Sequence, residues 1–251
     1  MGPDFELLVK VRQIHSSTRG SYGSRRMRSQ LCNDGYKIGR YRARSLIKKA
    51  GVFVKRRQRF KRTTDSNHTF PVAPNLLNRQ FELDRPDTAW CADITYVWTL
   101  EGWLYLAVVI DIFSRNKIAG WAMSNHLKAS LVKEALLMAY QRRKPEKGLI
   151  HHSDRGSQYA GSEYQNFLEQ YRMICSMSRK GDCWDNAVVE SFFHSLKTEW
   201  ISDIIYRTRD DARSDVIRYI EMFYNSHRLH SFLGYKTPNA FESNFALPKV
   251  A

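Results

Sequence analysis

The sequence predicts an α/β protein, a mixed five-stranded sheet flanked by helices and preceded by a small, basic, all-α module. Three observations carry this prediction. The first is lopsided charge. Of 40 Lys+Arg and 25 Asp+Glu in 251 residues, positions 1–88 hold 20 basic and 7 acidic side chains, while positions 89–251 hold 20 and 18. The second is a change of hydrophobic period, from helical spacing before residue 51 to strand-like runs after residue 88. The third is element order: three strands joined by tight turns lead into alternating helices and strands, which requires antiparallel and parallel neighbours in one sheet. With 43% apolar residues, 13 Tyr, 13 Phe and 6 Trp, the chain can bury a core, and a disordered or low-complexity chain is excluded. The formal charge of +15 predicts a polyanionic partner.

In the basic module, residues 4–17 repeat apolar side chains at Leu7, Leu8, Val11 and Ile14, a helical stripe that TRGSYG then breaks. A second helical run, 24–32, buries Met27 and Leu31 and stops at Asn33-Asp34-Gly35. A third, about 38–50, offers Ile38, Tyr41, Leu46 and Ile47 as inward positions and ends at Gly51. Two short helices around a glycine-containing turn form a helix-turn-helix pattern. The outward side of its last helix carries Arg40, Arg44, Lys48 and Lys49, suited to phosphate contacts and groove entry. Residues 55–62 (KRRQRFKR) follow, with Arg56, Arg57, Arg59, Lys61 and Arg62 as candidate DNA contacts beside that motif. A polar, proline-containing stretch then reads as an extended connector. The expected division is a DNA-binding domain at 1–54, a basic extended linker at 55–88, a catalytic core at 89–226 and a C-terminal extension at 227–251.

In the core, 88–98 and 103–112 are predicted strands of a hairpin turning at 99–102, and 117–123 a third strand. A helix over 127–141, a buried strand over 148–152, a helix over 162–171 and a strand over 172–177 follow. Long helices over 183–200 and about 209–226 complete the order. The longest apolar stretch, 103–110, is eight residues, far short of the roughly 20 a membrane helix requires. Nothing at the N-terminus reads as a signal peptide. Cys32, Cys91, Cys175 and Cys183 form no CxxC pair, so they read as reduced thiols of a cytoplasmic protein, nucleoid-associated when on DNA. A zinc site from Cys175, Cys183 and His151 or His152 lacks the usual ligand spacing.

Three carboxylates occupy places where burial needs a reason. Asp93 lies inside an apolar strand, Asp154 just past the C-terminal end of GLIHH, and Glu190 on the long helix within DNAVVESFFHSLKTE. Singly, each has a structural explanation, as an edge residue, a helix N-cap and a solvated helix face. Together they would make an oxygen-rich site for divalent cations. Mg²⁺ suits it, and paired ions could activate a nucleophile and stabilise a leaving oxygen of a phosphodiester. Asn186, His194 and Lys197 share the helical face of Glu190, where a lysine could grip a nucleic-acid backbone. Asp111 is set aside: with a turn at 100–101, Asp93 faces residue 108, and Asp111 falls roughly 10 Å along the strand, where it would cap the turn at Phe113-Ser114-Arg115.

The strings WCADITYV, EGWLYLAVVIDIFSR, HHSDRGSQY, DNAVVESFFHSLKTE and YNSHRLHSFLGYKTP resemble, in order, the integrase catalytic core of insertion-sequence transposases of the IS-three (IS3) family. RGSYGSRRM and GRYRARSLIKKAG are similar to the helix-turn-helix segment preceding that core, so the resemblance runs from about residue 16 to residue 243. The 35 residues between Asp154 and Glu190 match the spacing this family shares with retroviral integrases. The resemblance implies a ribonuclease-H-like fold and a catalytic DDE triad of Asp93, Asp154 and Glu190. Asp93 would bridge two Mg²⁺ ions, Asp154 and Glu190 would each complete one, and Mn²⁺ would substitute. It implies cleavage and strand transfer at phosphodiesters of the terminal inverted repeats and target DNA, without a covalent protein–DNA intermediate. The segment with Tyr224, Asn225, Arg228, His230 and Gly234-Tyr235 matches the family's C-terminal signature; it is read as packing the last helix on the core, with Arg228 near DNA. Implied partners are a second copy on DNA and, since no heptad run of three or more repeats is visible, an upstream-frame protein. The alternatives are a related integrase or nuclease of another mobile element, or a DNA-binding regulator with an inactive core, against which three intact carboxylates argue.

Overall fold

The computed structural model describes residues 3–55, 70–114, 117–180 and 182–246. Helices α1 (Pro3–Ser17), α2 (Ser24–Asn33) and α3 (Arg40–Lys49) pack around Leu7, Val11, Ile14, Met27, Leu31, Leu46 and Ile47. Tyr41 departs from expectation: it is 87% exposed. The inward stripe of α3 runs Ala43, Leu46, Ile47, Ala50, at helical spacing, and Tyr41 lies off it. Ile38 is buried but precedes the helix.

The string RGSYGSRRM is the seam between this module and the rest of the chain. The Arg19 guanidinium donates to both carboxylate oxygens of Asp215, at 2.9 and 2.6 Å, and stacks 3.8 Å from the Trp200 ring centroid. Tyr22 is buried; its hydroxyl donates to the His227 carbonyl at 3.1 Å and accepts from the Leu229 N–H at 2.8 Å. Arg26 reaches Glu199 at 2.8 Å.

The sheet has five strands in the order β3-β2-β1-β4-β5. They are β1 (Ala89–Thr99), β2 (Gly102–Asp111), β3 (Lys117–Ser124), β4 (Ile150–Ser153) and β5 (Ile174–Met177). β1 and β2 pair antiparallel from Thr99↔Gly102 to Trp90↔Asp111, with Asp93 opposite Val108, and β3 adds antiparallel to β2. β4 runs parallel to β1 and β5 parallel to β4. Side chains alternate between two cores. Trp90, Ala92, Ala107 and Val109 face α4 (Ala129–Arg143), α5 (Ser157–Ala160) and α6 (Ser162–Gln170). Gly120 lets β3 approach α4 closely, because a Cβ there would collide with the Ala135 carbonyl and Ala139. Cys91, Val97, Leu106 and Val108 belong to the opposite core, with the helices that follow β5.

Those helices are less regular than their periodicity suggests. The first opens with a 3₁₀ turn (Cys183–Asn186), continues as α7 (Ala187–Ser195) and ends in π-helical turns (Leu196–Ile201). The second is α8 (Arg209–Ile217), started by a Thr208/Asp211 capping box and prolonged by π-helical turns (Arg218–Tyr224). Phe192, Trp200, Tyr219, Phe223 and Tyr224 stack between them, with Phe192–Tyr224 centroids 4.7 Å apart and Trp200–Phe223 5.0 Å. Asn225 then clamps this packing to β3, accepting from the Ile118 N–H at 3.0 Å and donating to its carbonyl at 3.2 Å. A further helix, α9 (Pro238–Ala246), packs Phe241 and Phe245 on Phe113.

Within the extended connector, residues 74–77 dock on β5. The Ser176 hydroxyl accepts from the Leu76 and Leu77 N–H groups at 2.9 and 3.3 Å, and the Pro74 carbonyl from the Met177 N–H at 3.4 Å. A sheet edge that would otherwise present unpaired backbone is thereby covered. Among the described residues no helix is long and apolar enough to cross a membrane.

Candidate active site

Strand register brings the first two carboxylates together. Ala92 on β1 pairs with Ser153, the last residue of parallel β4. Asp93 follows Ala92 on β1 and Asp154 follows Ser153 just past the end of β4, so the register brings both to the same end of two neighbouring strands. Asp93 shares the strand face of Cys91, the face packed by α7, and its Oδ1 accepts from the Ile94 N–H at 2.7 Å. Asp154 leaves the strand in a turn, its Oδ1 accepting from the Gly156 N–H at 2.8 Å. Any Cβ at Gly156 would come within 3.0 Å of that oxygen. Glu190 stands exposed in the first turn of α7, where the positive end of a helix favours a carboxylate.

The electrostatics show that the three sense one another. Burial first, then the charge of Asp154 and less strongly that of Glu190, push the Asp93 carboxyl well above the usual carboxylate range, while Lys197 pulls the other way. Two like charges around a half-buried carboxyl leave a negative site that a cation would relieve. An all-oxygen donor set fits a hard divalent ion in chemistry. Among the described residues, however, no three His, Cys, Asp or Glu side chains are closed into a group placed to hold one ion.

The scaffold under Asp154 is rigid and neutral. His151 and His152 are buried, and desolvation holds their imidazoles down at about 3 and about 4. The Tyr164 hydroxyl lies 3.0 Å from His151 Nε2; the Ser176 and Ser178 hydroxyls lie 2.9 and 3.2 Å from the two His152 nitrogens. These histidines brace β4. The start of α7 is held by Asp185, fully buried and accepting from Arg179 at 2.8 and 3.0 Å, Arg79 at 2.9 Å and Asn75 at 2.8 Å. The Arg179 hydrogen bond, working against burial, keeps the Asp185 carboxyl far below its usual range. Through Asn75 and Arg79 the connector is thus tied to the turn that precedes α7 and Glu190, a tie that local periodicity cannot reveal.

The remaining predicted positions separate into groups. Arg40, Arg44, Lys48 and Lys49 are all exposed, the first three one helical turn apart along α3. Lys49 and Arg42 share Asp4, each at 3.1 Å. Lys197 is half-buried, its Nζ 4.9 Å from the Tyr96 ring centroid, and His194 follows Glu190 by one turn. Arg56, Arg57, Arg59, Lys61 and Arg62 lie outside the described residues.

Two of the predicted positions are buried. Asn186 is 4% exposed and donates to the Ala92 carbonyl at 3.5 Å, which ties the start of α7 to β1. Arg228 is buried too. Its guanidinium donates to Glu199 at 2.6 and 2.7 Å and to Ser195 at 2.9 Å, which engages it with the helix that follows Glu190. Glu199 went unnoticed in the sequence, although Val189, Phe192, Leu196 and Glu199 follow helical spacing on one buried stripe. An acid on such a stripe signals a buried cation opposite. Asp111 lies as expected, three residues along β2 from the partner of Asp93, accepting from the Ser114 N–H at 3.3 Å and the Asp87 N–H at 3.0 Å.

Comparison with known proteins bears on this site as a whole. Integrase core domain models match residues 84–183 and 171–238, and an HTH-like domain model matches residues 3–60. The chain is 44% identical over 242 residues (96% of its length, 89% of the relative's) to the insertion element IS600 uncharacterized 31 kDa protein of Shigella sonnei. It is 41% identical to the transposase for insertion sequence element IS904 of Lactococcus lactis, covering 94% and 93% of the two chains. It is 43% identical to the transposase InsF for insertion sequence IS3A of Escherichia coli, covering 88% and 77%. Among solved structures, a chain of a simian T-cell lymphotropic virus intasome in complex with PP2A regulatory subunit B56 gamma superposes with a TM-score of 0.56. The identity there is 17%, covering 96% of this chain and 76% of that one, which shows a shared fold. With a ribonuclease-H-like integrase core, an HTH-like module and relatives of this identity along nearly its whole length, the chain belongs to the IS3 family of insertion-sequence transposases.

Proposed function

We propose that the protein catalyses metal-dependent cleavage at the 3′ ends of an insertion sequence and transfer of those ends into target DNA, with Asp93, Asp154 and Glu190 as its catalytic carboxylates. The observation that carries this is the convergence of β1 and the end of β4, which sets Asp93 and Asp154 at one end of neighbouring strands, with the Asp93 carboxyl pushed above its usual range by burial, then Asp154, then Glu190. A half-buried carboxyl flanked by two more is destabilising in a bare protein, and it makes sense where cations and phosphate arrive. Two Mg²⁺ ions, with Mn²⁺ as substitute, would be held by Asp93 in common and by Asp154 and Glu190 singly. Once bound, such ions supply charge to the attacking and leaving oxygens of an in-line displacement.

The chain's own residues do the rest. The β1/β4 register fixes Asp93 beside Asp154, and the Asp185 clamp fixes the helix bearing Glu190. Lys197, close enough to Asp93 to lower its pKa, is placed to hold a scissile-strand phosphate, with His194 beside it. The N-terminal domain (1–54) would grip the terminal inverted repeats through Arg40, Arg44, Lys48 and Lys49, and the linker (55–88) would add its basic run. Residues 89–226 would carry the chemistry, and 227–251 would brace them. A homo-oligomer on DNA, alone or with an upstream-frame partner, would bring two ends together. The test is nicking and joining of labelled linear ends in Mg²⁺. Asp93→Asn, Asp154→Asn and Glu190→Gln are expected to abolish both while leaving DNA binding intact; full activity in any of them removes that residue from the triad.

A further inference from the structure

Where the N-terminal helices meet the core, a cavity of about 350 Å³ opens between the start of α2 and α7. Its walls carry Arg25, Arg26, Lys55 and Arg228 against a single acid, Glu199. That acid is shared by Arg26 and Arg228, and Lys55 is paired with Asp203 at 2.9 Å, so four cations stand here against two acids. Arg25 stands exposed at the rim.

Two further features ask for an anion. Thr198, only 5% exposed, and Ser21 are among the lining residues, and their hydroxyl oxygens are buried without a hydrogen-bond partner. A buried hydroxyl in that state is costly and calls for an acceptor from outside the chain. In addition, α2, ten residues long, begins behind Gly23 with no side chain capping its first N–H groups, and Gly23 lines the cavity. Uncapped N–H groups at the positive end of a helix suit a phosphate. The opposite wall includes Ser191 and His194, one residue and one turn beyond Glu190. A strand held here would therefore run on to the carboxylates.

We infer that this cavity is a phosphate subsite, taking one phosphodiester of the DNA strand that leads to the catalytic carboxylates. This rests on the reading of DNA as substrate, but it is tested by binding alone. Anisotropy of a fluorescein-labelled duplex is measured in EDTA across a salt series for the wild type, Arg25→Gln, Thr198→Val and Asp93→Asn. Arg25→Gln should flatten the slope of log affinity against log salt by about 0.9, and weaken binding about fivefold at physiological salt. Thr198→Val should weaken binding with no change of slope, and Asp93→Asn should bind as the wild type does. Inorganic phosphate at constant ionic strength should compete with the duplex on the wild type and less on Arg25→Gln. Wild-type affinity and slope in both cavity variants would overturn the subsite. So would a cavity that binds inorganic phosphate while duplex affinity is indifferent to both substitutions. If Thr198→Val fails to fold, the exposed Arg25 still decides the question. Loss of strand transfer in the carboxylate variants leaves these slopes untouched, so the two readings fail separately.

Discussion

Replacing Glu199 by Gln keeps the side chain's size and removes one charge from the seam between the N-terminal module and the core. In the wild type this carboxylate accepts from Arg228 at 2.6 and 2.7 Å and from Arg26 at 2.8 Å. The side chains of Glu199 and Arg228 are only 12% and 5% exposed, so water cannot replace either partner. Burial by itself would raise the Glu199 pKa; Arg228, then Arg26, overcome it and hold the group down at about 2, against 4.5 when unperturbed. That separation corresponds to about 3 kcal/mol of stability, and removing one partner of a buried pair costs about 3–5 kcal/mol in general. A chain of this length loses about 2–4 °C of melting midpoint per kcal/mol, so the variant should melt about 6–20 °C lower at pH 7. The folded pKa lies below the unfolded one. The wild-type advantage is therefore whole above the unfolded value and is lost as pH falls toward about 2. Circular dichroism melts at pH 7 and pH 3 read both parts, and the gap should shrink to about half or less at the lower pH. A variant melting with the wild type at pH 7, or a gap unchanged in acid, would refute the assignment of Glu199 as the charge that holds this seam.

Two other outcomes follow from the same reasoning. In EDTA, Asp93→Asn should melt above the wild type, because it removes a carboxyl that burial and Asp154 disfavour. Adding Mg²⁺ should then raise the wild-type midpoint and leave the variant unmoved, as ligand linkage requires; an equal rise in both would place the ion elsewhere. Neutralising Arg56, Arg57, Arg59, Lys61 and Arg62 should flatten the salt dependence of DNA affinity by about 0.9 per lost phosphate contact, read by filter binding. An unchanged slope would leave that run as a solvated linker.

The parts of the molecule legible in the sequence are those governed by short-range rules. Hairpin arithmetic from the turn at 99–102 put Asp93 opposite residue 108 and Asp111 out of reach, and the register is as that arithmetic requires. Strand polarity at GLIHH put Asp154 at a carboxyl end, where β4 does end. Helical spacing located α1, α2 and the inward side of α3 apart from Tyr41, a helix-start residue off the stripe. What stayed hidden depends on pairs distant in sequence. The partner of Arg228, Glu199, lies 29 residues away across a helix packing. The docking of the connector on Asp185 spans 106 residues from Arg79. The π-helical turns at Leu196–Ile201 and Arg218–Tyr224 arise where large aromatic rings interlock, and no local period encodes them.

The central claim is that Asp93, Asp154 and Glu190 act together on phosphodiesters. It is met most directly by one strand-transfer reaction on end-labelled element DNA. With Mg²⁺ or Mn²⁺, wild-type protein should yield label joined to target DNA, free of covalently attached protein, and Asp93→Asn should yield none while still binding the ends. Joined product from Asp93→Asn at the wild-type rate, or label trapped covalently on the protein, would contradict it.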